Sequence, residues 1–147
     1  MKNDHPTSQK PVQQTNSPYV GIRILPVKDV ALARKEIEHW LAEKGIQIFC
    51  IVDHAANAVS QNMFQPPATV IIFGNPAVGT PLMAECPLMA LELPLRVLVY
   101  EDNAGLAWLA YHDPMQQAAA LGANPEHTSL KQMRDLLKTL EQAVAVK

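Results

Sequence analysis

Gly74-Asn75-Pro76-Ala77-Val78-Gly79-Thr80-Pro81 places two glycines, an asparagine and a threonine directly after an apolar run. A strand that opens into such a loop and then a helix presents unpaired backbone amides. The helix dipole adds partial positive charge there, so anions are attracted. The glycine spacing copies that of a phosphate-binding P-loop, but that loop needs Lys and then Ser or Thr after its second glycine. Here Thr80-Pro81 follows, and Pro81 has no N–H to give. Nucleotide hydrolysis is therefore not supported. Two readings remain open: an anion-binding helix mouth, and a tight turn in which Gly74 and Gly79 supply positive φ.

Asp53 and His54 close another apolar run. A carboxylate beside an imidazole could tune a general base near neutral pH. Adjacent strand residues point to opposite faces, however, and Asp53 reads better as a cap for the helical turn that follows. His112 and Asp113 end a third run; Asp113 precedes Pro114 and reads as a helix cap, while His112 could be a ligand or proton carrier. Met83, Cys86 and Met89 recur every third residue, a spacing that could suit a soft metal. Pro87 interrupts the helix that would align them, and all three pack well as plain core residues, so no metal is expected. Arg96 lies inside an apolar strand and is expected to pair across the sheet or to reach into a pocket. Glu85, Glu92, Glu101 and Asp102 offer no acid–base pair. Trp40 and Trp108 read as packing anchors.

The elements that must position these side chains follow from periodicity. Strands are expected at Tyr19 to Leu25, Ile46 to Val52, Ala68 to Phe73, Leu95 to Glu101 and Leu106 to Tyr111. A helix is expected from about Val27 to Lys44, closed by Gly45. A short helix should start at the Thr80-Pro81 cap-then-proline signal. Another follows Asp113-Pro114 and ends at Gly122, and a last runs from about Ser129 to Ala145 with Leu130, Met133, Leu137, Leu140 and Val144 buried. Asp102-Asn103-Ala104-Gly105 has hairpin-turn chemistry, which makes the last two strands antiparallel. The fold class is α+β: a curved, largely antiparallel five-stranded sheet with helices packed on one face. Helical potential in the stretch from His54 to Met63 is noted within a polar loop.

The chain has 147 residues, 48% hydrophobic and 18% charged, with a net charge of −2. That length suits one domain, residues 18–147, behind a polar tail at residues 1–17 that is read as disordered and holds His5. The charge gives no reason to bind nucleic acid or anionic lipid. No apolar run is long enough to span a bilayer, and no hydrophobic leader opens the chain, so a cytoplasmic protein is expected. Cys50 and Cys86 form no disulfide framework; Cys50, inside an apolar run, is expected to be a buried thiol.

Asp53-His54-Ala55-Ala56-Asn57-Ala58, the block Phe73-Gly74-Asn75-Pro76-Ala77-Val78-Gly79-Thr80-Pro81-Leu82-Met83, Leu93-Pro94-Leu95 and Tyr111-His112-Asp113-Pro114 occur in this order. In these blocks the chain resembles the domain of unknown function 302 family, from about Tyr19 to Gly122. The resemblance implies no activity. It implies a fold similar to the TATA-binding-protein-like arrangement, and homodimers. Many relatives read Tyr-Asn-Asp-Pro where this chain has Tyr-His-Asp-Pro, so no role comes to His112 from them.

The function expected is a small-ligand-binding or sensing module for an anionic or amphipathic molecule. Its candidate residues are Asp53, His54, Gly74, Asn75, Gly79, Thr80 and His112, and the turns opened by residues 53, 74 and 112 are expected to converge on one hollow. The alternatives are a homodimeric interaction module without a ligand, and an enzyme with His54 or His112 as general base.

Overall fold

The structure is a computed structural model that describes residues 18–146. The expected tail, residues 1–17, lies outside the described residues. Five strands form one open antiparallel sheet in the order β1-β5-β4-β3-β2: β1 (Ile22–Pro26), β2 (Gln47–Asp53), β3 (Ala68–Gly74), β4 (Leu95–Glu101) and β5 (Ala107–His112). Helix α1 (Val30–Glu43) follows β1, α2 (His54–Val59) follows β2, and α3 (Pro76–Glu85) with a 3₁₀ turn at Pro87–Leu91 follows β3. Two helices close the described chain, α4 (Pro114–Ala120) and α5 (Thr128–Val144). The α+β class and the antiparallel sheet are therefore as the sequence reads.

Strand alternation sets the core. Leu25, Ile71, Phe73, Val97, Val99 and Leu109 share one face with buried side chains of α1 (Ile37, Leu41) and α5 (Leu130, Leu137, Leu140). The other face carries Ile24, Tyr100, Trp108 and Ala110 as a second, smaller buried cluster. The expected buried stripe of the last helix is complete, and Glu141 joins it at 7% exposure. The β4–β5 turn closes with Gly105 at φ +79°, as hairpin chemistry requires.

Several boundaries and environments differ from expectation. The first helix begins at Val30, because Asp29 caps it by accepting from the Leu32 amide at 2.7 Å. Cys50 is exposed. Its strand is an edge of the sheet and its register shifts between Ile48 and Cys50, so an apolar run that reads as core is only half covered. Arg96 is likewise exposed, on the face away from the helices, with no ion pair among the described residues.

The largest correction concerns α3. It starts at Pro76, with Asn75 as cap accepting from the Ala77 amide at 2.9 Å. Asn75-Pro76 is itself a cap-then-proline signal, and asparagine caps better than threonine. Thr80 is therefore inside the helix and Pro81 interrupts it. The missing Pro81 N–H leaves the Ala77 carbonyl unserved, which is tolerable because Ala77 is exposed to water.

Candidate functional site

The C-terminal end of β3 runs straight into α3, and α5 crosses above. Between them, where β2 begins, lies a cleft of about 400 Å³. Ile46, Phe49, Val78, Met83, Leu93 and Leu136 make most of its wall, and Gly74, Asn75, Gly79, Thr80 and Gln132 add polar groups and open backbone. The Leu93–Pro94 peptide at its floor is cis. Each wall has a local cause. Asn75 turns the chain out of β3, and its Oδ1 is engaged by the cap while its amide nitrogen remains a donor. Met83 and Leu136 are half-buried, so their free sides face the hollow.

Gly74 and Gly79 do not serve positive φ; the described glycines that do are Gly21, Gly45, Gly105 and Gly122. A Cβ at either position would make only ordinary van der Waals contact. A Cβ at Gly74 would stand 3.5 Å from Pro94, and one at Gly79 would meet Leu93 Cδ1 at 3.4 Å. Gly79 is an interior helical glycine, where alanine is favoured by up to about 1 kcal/mol. Gly79→Ala should therefore raise the unfolding free energy by about 0.5 kcal/mol in urea titrations, with the flexible end of Leu93 giving way. A loss above roughly 1 kcal/mol would mean that Leu93, 3.4 Å from the added Cβ, cannot give way.

Four of the seven residues singled out in the sequence, Gly74, Asn75, Gly79 and Thr80, thus line one cleft. The other three do not join them. Asp53 pairs with Thr69 at the far end of β3 from Gly74, about 17 Å away at about 3.4 Å per residue. There it caps α2, accepting from the Ala56 amide at 2.9 Å, and lies 3.6 Å from Arg34. His54 is exposed at the same far end. His112 pairs with Ile22, is exposed, and stands on the face opposite the helices, with β4 between its strand and β3. The expected convergence of the three turns is therefore not what the fold makes. His54 and His112 sit at opposite ends of the sheet. Met83, Cys86 and Met89 also diverge: Met83 lines the cleft, Cys86 Sγ contacts the Leu121 carbonyl at 3.7 Å, and Met89 is fully buried. Among the described residues no group of three or more His, Cys, Asp or Glu side chains is placed to hold a metal ion.

Sequence reasoning missed the strongest polar cluster. Glu141 accepts from Arg23 Nε and, at 3.0 Å, from Arg23 Nη2, and also from the Tyr111 hydroxyl. The Glu141 hydrogen bonds raise the Arg23 pKa above its ordinary value. Burial first, and then the Glu141 bond, push the Tyr111 phenol well above its usual range. The signal was present: Glu141 falls four residues after Leu137 and three before Val144, on the apolar stripe itself. Asp102 was missed in the same way. It read only as a turn residue, yet it is buried and accepts from the Trp108 indole at 2.8 Å.

The structure of an uncharacterized conserved DUF302 protein from Bacillus stearothermophilus superposes with a TM-score of 0.68 over 86% of this chain and 97% of that one, at 17% identity. Curated relatives include the proteins named Fluoride-specific ion channel FluC 1 of Brucella suis biovar 1 and of Brucella abortus biovar 1. Each is 40% identical over 111 residues, which is 67% of this chain. The chain spans 44% and 41% of those relatives' lengths, less than half. Among the described residues no helix is long and apolar enough to cross a membrane. The family model of the Domain of unknown function DUF302 matches residues 24–145, nearly the whole of the sheet and its helices, and the chain belongs to that family.

Proposed function

We propose that this chain is a small-molecule-binding module whose ligand is amphipathic, with its apolar body in the cleft under α3 and α5. The observation that carries this reading is the cleft itself. Its volume of about 400 Å³ falls within the usual range for small-ligand sites, and a mostly hydrocarbon wall is broken by a few polar groups. The Asn75 amide nitrogen, the Thr80 hydroxyl and the Gln132 amide are exposed lining groups suited to a ligand's polar end. A bare, strongly hydrated anion such as fluoride gains little from such a wall, because desolvation would go uncompensated. The channel activity in the relatives' name is therefore not transferred to this cleft. In this reading the module acts in the cytoplasm, and a homodimer would be built on exposed Val59, Met63 and Phe64.

Thermal-shift measurements with medium-chain fatty acids, aromatic amides and sodium fluoride as separate arms test the reading. A matching amphipathic ligand at about a hundred times its Kd adds about 2.7 kcal/mol, a rise of several degrees in Tm. Leu136→Trp, which fills the cleft, should remove that shift while leaving the ligand-free Tm within a few degrees. A silent panel, a shift from fluoride alone, or a full ligand shift in Leu136→Trp would each defeat the proposal.

A further inference from the structure

Helix α5 separates two hollows. Met133 and Leu136 face the apolar cleft, whereas Arg134, Leu137 and Lys138 face a second pocket of about 410 Å³ beside β1 and α4. We infer that this second pocket binds a small organic oxyanion, a phosphate ester or carboxylate on a compact apolar body.

The argument starts from charge. Arg134 and Lys138 lie four residues apart on one helix flank, where like charges repel. Neither makes an ion pair or hydrogen bond among the described residues, and both are exposed to the pocket's solvent. Arg23 supplies a third cation. Glu141 grips it side-on through Nε and Nη2, which fixes the guanidinium plane at the pocket wall. The pocket's own carboxylate, Asp113, is engaged in accepting from the Met115 amide at 2.9 Å. Glu141 offsets the charge of Arg23 and Asp113 keeps its own, so the hollow's excess positive charge rests on Arg134 and Lys138, in a chain whose net charge is −2.

The shape argues for an organic body behind the charged head. Val20, Ile22, Pro114 and Leu137 give the hollow an apolar side. Its back is stiff: Gly21 has φ +74°, its carbonyl accepts from the Asp113 amide at 2.8 Å, and a Cβ there would meet Gln116 Cβ at 3.0 Å. The turn before β1 thus packs directly on α4, which gives the hollow a preformed back.

Titration calorimetry on the full chain at low ionic strength, with phenyl phosphate, benzoate and inorganic phosphate, tests the inference. Phenyl phosphate or benzoate should bind, and whichever is tighter identifies the head group. The double variant Arg134→Ala/Lys138→Ala, at exposed positions, should fold as the parent and weaken that binding by at least about tenfold. Added salt should weaken the parent's binding more than the variant's. No heat from any anion, unchanged affinity in the double variant, or inorganic phosphate binding as tightly as phenyl phosphate would overturn it.

Discussion

Glu141→Ala is expected to lower the unfolding free energy by about 3 kcal/mol and Tm by roughly 10 °C. Glu141 is 7% exposed and satisfies three donors at once, two on Arg23 and one on Tyr111. Alanine removes the acceptor and leaves a guanidinium and a phenol half-sealed beneath α5 without a partner. That asymmetry makes breaking a buried pair far costlier than never having it. The Arg23 side chain keeps 32% exposure, so water can reach it, which holds the loss near the lower end of the usual range. Glu141→Gln should cost less, since one oxygen still accepts. The triple change Arg23→Met/Tyr111→Phe/Glu141→Leu should return most of the stability, because no donor is then left unpaired. Guanidinium denaturation of the four proteins reads this order. A triple variant as unstable as Glu141→Ala would show that lost packing, not the orphaned donors, sets the effect.

Much of this fold was legible because the signals are local. Leu95 to Glu101 alternates so regularly that its bounds read as they are found, and Asp102 to Gly105 could only be a turn. Other features depend on pairing, which one strand's sequence does not carry. Cys50 looked like core because IQIFCIV is apolar throughout, but only the strand order makes β2 an edge. The Arg23–Glu141 bond joins residues 118 apart in sequence, so neither residue alone announces the other. The convergence of residues 53, 74 and 112 failed for a geometric reason. Strand ends gather at one edge when strands are parallel. In an antiparallel sheet they alternate, so β2 ends where β3 begins, while His112 shares an end with Gly74 but stands on the opposite face, with β4 between their strands. The four residues of the Gly74–Thr80 block stay together on one cleft because a single connection, β3 to α3, holds them.

Asp102→Ala should cost about 3 kcal/mol, although sequence patterning treats the position as an ordinary turn residue. One oxygen accepts from the Ala104 and Leu106 amides, both at 2.9 Å, and the other from Trp108 Nε1 at 2.8 Å. At 6% exposure, this carboxylate ties the β4–β5 turn to the smaller apolar cluster on the sheet's open face. Removing it orphans two backbone donors and an indole N–H together. Asp102→Asn separates the two jobs. Its carbonyl can still serve the turn, but its NH₂ then faces the indole donor, so the cost should fall to about 1–2 kcal/mol and reside in Trp108. Trp108→Phe removes that conflicting donor, and a double-mutant cycle between the two positions should show coupling of at least about 1 kcal/mol. Tyr100 offers an independent readout. Burial first, and then the Asp102 charge, hold its phenol at about 12, so Asp102→Asn should lower that value in an alkaline absorbance titration. Additive losses in the cycle, with Tyr100 unmoved, would mean that Asp102 acts on the turn alone and that the open face is organised without it.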